Sequence, residues 1–241
     1  MPRFYCDLAL QIDDEFKLPD AVHRHVQVLR LNAGDSITLF NGDGQEYQAE
    51  VISVGNKSSV VRINQQTLVS RESPIWLGLA QGISSGDRMD FTLQKAVELG
   101  VSEIQPLMTR RSIVKLPADR WAKKHEHWRQ VVIAACEQCG RNTIPTVHDA
   151  LSLTDWLAKV AMTENTPGFV LMPGGETRIQ SYQKHAGAWL LAGPEGGLTD
   201  DEHQQALAKK WHSLTLGPRV LRTETAALAA LATLQTLWGD F

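Results

Sequence analysis

The sequence predicts an α/β protein with a small β-barrel ahead of it, and three observations carry that prediction. Residues 1–70 read as short β segments separated by tight turns. Arg71-Glu72-Ser73-Pro74 makes a polar break, closed by a proline that biases its predecessor toward extended backbone. From Ile75 onward strands alternate with helices, the grammar of a mostly parallel sheet covered by helices on both faces. The expected domains are therefore residues 1–70 and 74–241.

In the first segment, residues 18–31 hold one short helical pattern, with Pro19 near its start and Asn32-Ala33-Gly34-Asp35 as its stop. A strand follows at 36–40. Asn41-Gly42-Asp43-Gly44 then supplies two consecutive hairpin-turn dipeptides. Residues 47–54 alternate apolar and polar, Gly55-Asn56-Lys57-Ser58 turns, and 59–63 return, a pattern that suits a small barrel. In the second segment, 75–80 is a strand. Residues 87–99 form a helix with Met89, Leu93, Ala96 and Val97 on one face and Gly100 as its stop. After a strand at 104–108, the helix 118–140 repeats Trp121, Trp128 and Ala135 every seven residues, a core stripe. Next come a helix at 153–162, strands at 168–172 and 188–192, a helix at 199–210 and a strand at 213–216. The last helix, 223–238, is rich in Ala and Leu and nearly uncharged, hence expected to be buried on most sides.

The 241 residues are 43% apolar and 21% charged, an ordinary globular composition. No stretch has the apolar length of a membrane span, and Met1-Pro2-Arg3-Phe4-Tyr5-Cys6-Asp7 has no signal-peptide core, so a cytoplasmic protein is expected. Three cysteines, an odd number, argue against a disulfide framework. Cys136 and Cys139 form a CxxC inside a helical run, with no partner pair at zinc spacing; two small buried thiols and no metal are expected. His23/His25 and His125/His127 diverge on a helix and are expected on solvated or half-solvated faces. The net charge of −3 is not that of a nucleic-acid binder, but its distribution is uneven. Residues 110–141 hold eight Lys/Arg against three acids, which reads equally as a solvated helix face and as a phosphate-tracking patch. Residues 1–70, with six basic and nine acidic side chains, are no basic arm.

Two late loops draw attention. Trp189-Leu190-Leu191-Ala192 runs into Gly193-Pro194-Glu195-Gly196-Gly197, and a helix start follows, with Thr199 as N-cap and Glu202 closing a capping box. Leu216-Gly217-Pro218-Arg219-Val220-Leu221-Arg222-Thr223-Glu224 is the second loop. Three nucleotide or hydrolase signatures are absent: no GxGxxG follows the first α/β strand, no GxxxxGK[ST] occurs, and there is no GxSxG. Three glycines in five residues let main chain approach a ligand closely, and Leu216, Gly217, Pro218 and Leu221 add apolar walls. The pair suits a small, partly apolar ligand such as an adenosine, although either loop alone also reads as an ordinary tight turn.

These two loops resemble the RsmE family of ribosomal RNA small-subunit methyltransferases, of the SPOUT class. The resemblance extends to Lys95-Ala96-Val97-Glu98-Leu99-Gly100-Val101, Arg111-Ser112-Ile113-Val114-Lys115 and Ala135-Cys136-Glu137-Gln138-Cys139-Gly140-Arg141 with Pro145. It also covers Val28-Leu29-Arg30-Leu31, Gly34-Asp35 and Phe40-Asn41-Gly42, so it runs essentially end to end. It implies a PUA-like β-barrel followed by an α/β SPOUT domain with a trefoil knot, acting as a homodimer. General rules of chain connectivity would not propose that knot. The resemblance further implies S-adenosylmethionine as methyl donor and a uridine N3 (expected at uridine 1498) in 16S ribosomal RNA as acceptor; the assembled small subunit is the expected partner, with free RNA left open as the substrate. On the family's motifs, Gly193, Pro194, Glu195, Gly196, Gly197, Leu216, Gly217 and Leu221 fall at the cofactor pocket, with Leu171 and Met172 a looser match.

Methylating an imide nitrogen needs a proton acceptor and a cation or donor to steady the uridine anion. Arg222 or Arg141 is the candidate cation, and Glu224 or Glu137 the candidate acceptor; Glu224 also reads as a helix first-turn acid favoured by the dipole. Glu195 is expected to fix its loop. Candidate phosphate contacts are Arg3, Arg30, Arg110, Arg111 and Lys115. Two rivals remain open: a non-catalytic RNA-binding protein with an α/β scaffold, and a related SPOUT enzyme that methylates transfer-RNA ribose.

Overall fold

The computed structural model describes residues 1–114, 117–175 and 177–241. The chain divides into two units, Met1–Glu72 with Cys136–Ile144, and Ser73–Ala135 with Pro145–Phe241.

The first unit is built from β1 (Arg3–Tyr5), β2 (Glu15–Lys17), α1 (Asp20–Val28), β3 (Ser36–Phe40), β4 (Gln45–Val54) and β5 (Ser59–Leu68). Its sheet runs β1-β3-β4-β5-β2, antiparallel except for the β1–β3 pair. Gly42 and Gly44 take left-handed φ of +97° and +87°, and so fold β3 back onto β4 without strain. Two register irregularities, at Gln48/Ala49 and Val51/Ser53, bend the long β4–β5 ribbon around a core that includes Leu39, Tyr47, Val51, Val61 and Ile63. β1 and β2, at three residues each, are too short for alternation to reveal them in the sequence. His23 departs from expectation. It is buried and bonds through Nδ1 to Ser59 Oγ at 2.8 Å, because α1 turns that face onto the core beside Val22 and Val26. His25 is exposed, as expected.

The second unit contains β6 (Trp76–Gly82), α2 (Gly86–Glu98), β7 (Glu103–Met108), α3 (Ala118–Cys139), β8 (Thr146–Val147), β9 (Leu151–Ser152) and α4 (Leu153–Lys159). It continues with β10 (Gly168–Leu171), a 3-10 turn at Ile179–Ser181, β11 (Gly187–Ala192), α5 (Asp200–Ala208), β12 (His212–Leu214) and α6 (Thr223–Trp238). Its strands run β12-β10-β11-β6-β7-β8, with β9 also on β7, and every pair is parallel. β11 is buried over its whole length, which is why it reads as a continuous apolar run. A Cβ on Gly78 would lie 2.4 Å from the Trp189 ring, so glycine there makes room for the tryptophan. Trp156 of α4 packs edge-on against Trp189 and tilted against Trp211 in one aromatic core.

Three expectations are corrected. α4 ends at Lys159 rather than 162, because Val160 is extended. α6 is buried along one face only (Ala227, Ala230, Leu231, Leu234, Gln235, Trp238), since it packs on α2 and β11 while Thr236 and Leu237 remain exposed. In the CxxC, Cys136 is buried, its thiol pushed up to about 12 by burial, whereas Cys139 is only half-buried. No helix among the described residues is long and apolar enough to cross a membrane.

Candidate active site

Parallel pairing puts the C-terminal ends of β6, β10, β11 and β12 on one edge of the sheet, where chain leaves each strand to form a ligand crevice. Segments beginning at Met172, Gly193 and Thr215, with the first turn of α6, line a cavity of about 650 Å3. That is the size of a small-molecule site, roughly 300–1,000 Å3. Every lining residue belongs to the second unit. Leu171, Met172, Gly193, Pro194, Glu195, Gly196, Gly197, Leu216, Gly217 and Leu221 all line it, together with Arg222 and Glu224.

The 193–197 loop is drawn tight. A Cβ on Gly193 would fall 2.8 Å from the Gly197 carbonyl carbon, and Gly197 itself sits at φ +69°, its N–H donating to the Pro194 carbonyl at 2.8 Å. Thr199 then caps α5 in a complete capping box with Glu202, whose buried carboxylate also accepts from the Arg110 N–H at 2.8 Å. Glu195 faces away from solvent toward α2. Its carboxylate accepts the Ser85 N–H at 2.8 Å and hydroxyl at 2.6 Å, and the Arg88 guanidinium stands 3.4 Å away. Burial alone would push its carboxyl up; the Ser85 hydrogen bonds and Arg88 outweigh it and hold it below the ordinary range.

Arg111 also serves this loop. Its Nη1 donates to the carbonyls of Gly196 at 3.0 Å and Leu198 at 3.2 Å, and its stem lies against the place a Gly196 Cβ would fill. Arg110 points outward in an exposed ion pair with Asp201 at 2.7 Å, and Arg30, at a left-handed φ of +54°, is exposed after α1. Lys115 lies outside the described residues.

At the start of α6, Arg222 occupies the N-cap and is exposed on the cavity rim. Glu224, in the first turn, lines the cavity with a buried Oε2 that has no hydrogen-bond partner. Neither Glu137 nor Arg141 lines the cavity. Both stand in the first unit. Glu137 accepts the Tyr5 N–H at 2.9 Å, and burial pushes its carboxyl above the usual value. Arg141 donates from Nε to Glu72 at 3.0 Å, and its carbonyl accepts from Arg3. Arg3, a candidate phosphate contact, is only 11% exposed: it pairs with Glu46 at 2.9 Å, bonds Asn142 and lies 4.2 Å over the Phe40 ring.

Sequence reasoning missed three contributors. His203 lines the cavity on α5, 3.2 Å from Ser213 Oγ, with burial lowering its imidazole toward the neutral form. Gln81, fully buried at the end of β6, donates from Nε2 to the Gly82 carbonyl at 2.9 Å, the Gly193 carbonyl at 3.2 Å and Thr223 Oγ1 at 3.0 Å. Thr223 in turn donates its hydroxyl to the Gly193 carbonyl. The available signal was a lone polar side chain in an otherwise apolar strand, Leu77-Gly78-Leu79-Ala80-Gln81.

Comparison with known proteins accounts for both units. Residues 71–235 match an RNA methyltransferase domain family and residues 18–64 an RNA methyltransferase PUA domain family. The chain is 33% identical to ribosomal RNA small subunit methyltransferase E of Bacillus subtilis, with each chain covered in full, and 33% identical to that of Buchnera aphidicola, covering 100% of this chain and 98% of the relative. Among solved structures it superposes on that methyltransferase from Neisseria gonorrhoeae bound to S-adenosylmethionine, at TM-score 0.93 and 42% identity over 100% of this chain and 99% of that one. A Legionella pneumophila protein solved in complex with S-adenosylmethionine matches at TM-score 0.94 and 39% identity, over 99% and 98% of the two chains. The chain belongs to the ribosomal RNA small subunit methyltransferase E family.

Proposed function

We propose that this chain transfers the methyl group of S-adenosylmethionine to N3 of a specific uridine in small-subunit ribosomal RNA. The observation that carries the proposal is the partnerless, buried Oε2 of Glu224 on a main-chain-lined cavity, with the Arg222 guanidinium on its rim. A carboxylate oxygen left without a donor on the cavity wall is free to accept a hydrogen bond from a substrate N–H. The cavity fits the cofactor: close glycine main chain at Gly193, Gly196, Gly197 and Gly217 admits a flat ring system, and Leu171, Met172, Leu216 and Leu221 give apolar cover. Two relatives bear this cofactor in their solved structures.

S-adenosylmethionine supplies an electrophilic methyl group whose C–S electron pair stays with sulfur on transfer, so that a neutral thioether leaves. Glu224 takes the N3 proton, Arg222 steadies the uridine anion, and the N3–CH3 bond forms from the freed lone pair. Glu195, Arg88 and Arg111 hold the cofactor loop. Arg30 and Arg110 touch phosphate, whereas Arg3, Glu137 and Arg141 serve the integrity of the first unit. In this reading the barrel (1–70) recruits RNA and residues 74–241 carry out the transfer. The loops follow the trefoil path of the SPOUT class, and the enzyme acts as a cytoplasmic homodimer on the assembled subunit, without metal.

The test is methylation of assembled small subunits with labelled S-adenosylmethionine, followed by mapping of the modified nucleotide, alongside calorimetric titration with the cofactor. Label on one uridine N3 is the expected result. Label at any position other than a uridine N3, or no cofactor binding, would overturn the proposal.

A further inference from the structure

We infer that Gln81 and Thr223 are positioning residues that latch the cofactor loop to the first turn of α6, so that the loop and the Arg222–Glu224 segment take up their places together. The inference rests on the methyltransferase reading above. Gln81 is buried completely near the end of the apolar strand β6, where an apolar side chain would avoid the cost of a desolvated amide. Its Oε1 has no hydrogen-bond partner, so the amide is kept for what its N–H groups do. The two N–H groups reach three acceptors on three segments, one of them shared between two: the end of β6 at Gly82, the loop at Gly193, and Thr223.

The Gly193 carbonyl therefore receives two donors, Gln81 Nε2 and the Thr223 hydroxyl. Two donors on one oxygen set the plane of the Gly193–Pro194 peptide, and with it the course of the loop through Glu195. Close packing leaves no slack, for a Cβ on Gly82 would lie 2.5 Å from the Pro194 ring. Thr223 is the first residue of α6 and lies between Arg222 and Glu224. The hydroxyl that holds the loop thus also holds the backbone carrying the proposed cation and proton acceptor. Loss of either latch member should weaken cofactor binding and slow chemistry at once, which a purely structural hydrogen bond would not do.

The experiment compares Thr223→Val, Thr223→Ser and Gln81→Met in the full-length chain, each with a melting curve, a calorimetric Kd for S-adenosylmethionine, and single-turnover kcat on assembled small subunits. Thr223→Val is expected to raise Kd by about tenfold and lower kcat by about tenfold, the scale of one buried hydrogen bond in each state. Thr223→Ser, which keeps the hydroxyl, recovers most of both. Adding Thr223→Val to Gln81→Met costs little beyond the single variant, because the two act as one unit. A lower melting temperature with unchanged Kd and kcat, a serine variant as impaired as the valine one, or full additivity overturns the latch. A wild-type chain that neither binds nor transfers overturns the parent reading and the latch with it; wild-type transfer retained in Thr223→Val overturns the latch alone.

Discussion

Arg141, with 5% of its side chain exposed, is gripped by Glu72 through Nε at 3.0 Å, whereas Arg222 stands exposed at the N-cap of α6 on the cavity rim. Two further arginines of the first unit, Arg3 and Arg71, converge on Glu46 at 2.9 and 2.6 Å, while Arg30 stays exposed. The second unit keeps Arg88, Arg110 and Arg222 at or near the surface, around the cavity or beside it. Carboxylates divide the same way. Glu137, half-buried in the first unit, has its carboxyl pushed up by that burial, while Glu195 in the second is held down by Ser85 and Arg88 against its own. The same residue types are sealed by a partner at Arg141 and left open on the cavity at Arg222, and the deciding variable is whether a partner lies within reach in the folded chain.

The sharpest break of this comparison is at Glu224 and Arg222. Glu224→Gln should lower kcat by about 10²–10⁴-fold and Arg222→Ala by about 10²-fold, with melting temperatures near wild type. Wild-type turnover in both would remove them from the chemistry. Arg141→Ala should do the reverse. It strands Glu72 with a mostly covered charge, and should cost about 2 kcal/mol in denaturant unfolding while leaving the cofactor Kd unmoved. A stable Arg141→Ala protein with abolished turnover would return that arginine to the catalytic set.

A smaller effect separates the two carboxylates by pH. Glu195 is depressed from its ordinary 4.5, so its stabilisation is present above that value and fades as pH falls through the folded one. Glu195→Gln should therefore be destabilising at neutral pH and converge on wild type in acid. Glu137 is raised from 4.5, so its contribution is full below that value and is lost as pH rises through the folded one. Glu137→Gln should gain on wild type as pH increases. Melting temperatures from about pH 3 to about pH 7 read both slopes, and parallel curves would show that the two environments do not differ. The smallest effect concerns RNA: Arg30→Ala and Arg110→Ala should each reduce the salt slope of binding by about one, whereas Arg3→Lys should leave it unchanged.

Much of the site was legible because its signals are local. The glycines of the 193–197 loop, Thr199 with Glu202 three residues on, and the apolar run of β11 are all written within fourteen consecutive residues, 189–202. Arg111 was legible only as a cation. That it donates to the Gly196 and Leu198 carbonyls depends on a loop 85 positions away. Glu224 was an even choice between proton acceptor and helix-dipole acid, and its unpartnered Oε2 is visible only with its neighbours in place.

By itself the sequence determined the order and type of the main elements, the break near Arg71-Glu72-Ser73-Pro74, and the two close-approach loops, because periodicity, turn chemistry and capping act over a few residues. Tertiary structure decided which charges are buried. Arg141 meets Glu72 across 69 positions, Arg3 meets Arg141 across 138, and Gln81 meets Thr223 across 142. It also placed Cys136–Ile144 with the first unit, far from it in sequence. Burial and pairing are properties of the packed chain, and no local pattern encodes a partner that only folding brings within 3 Å.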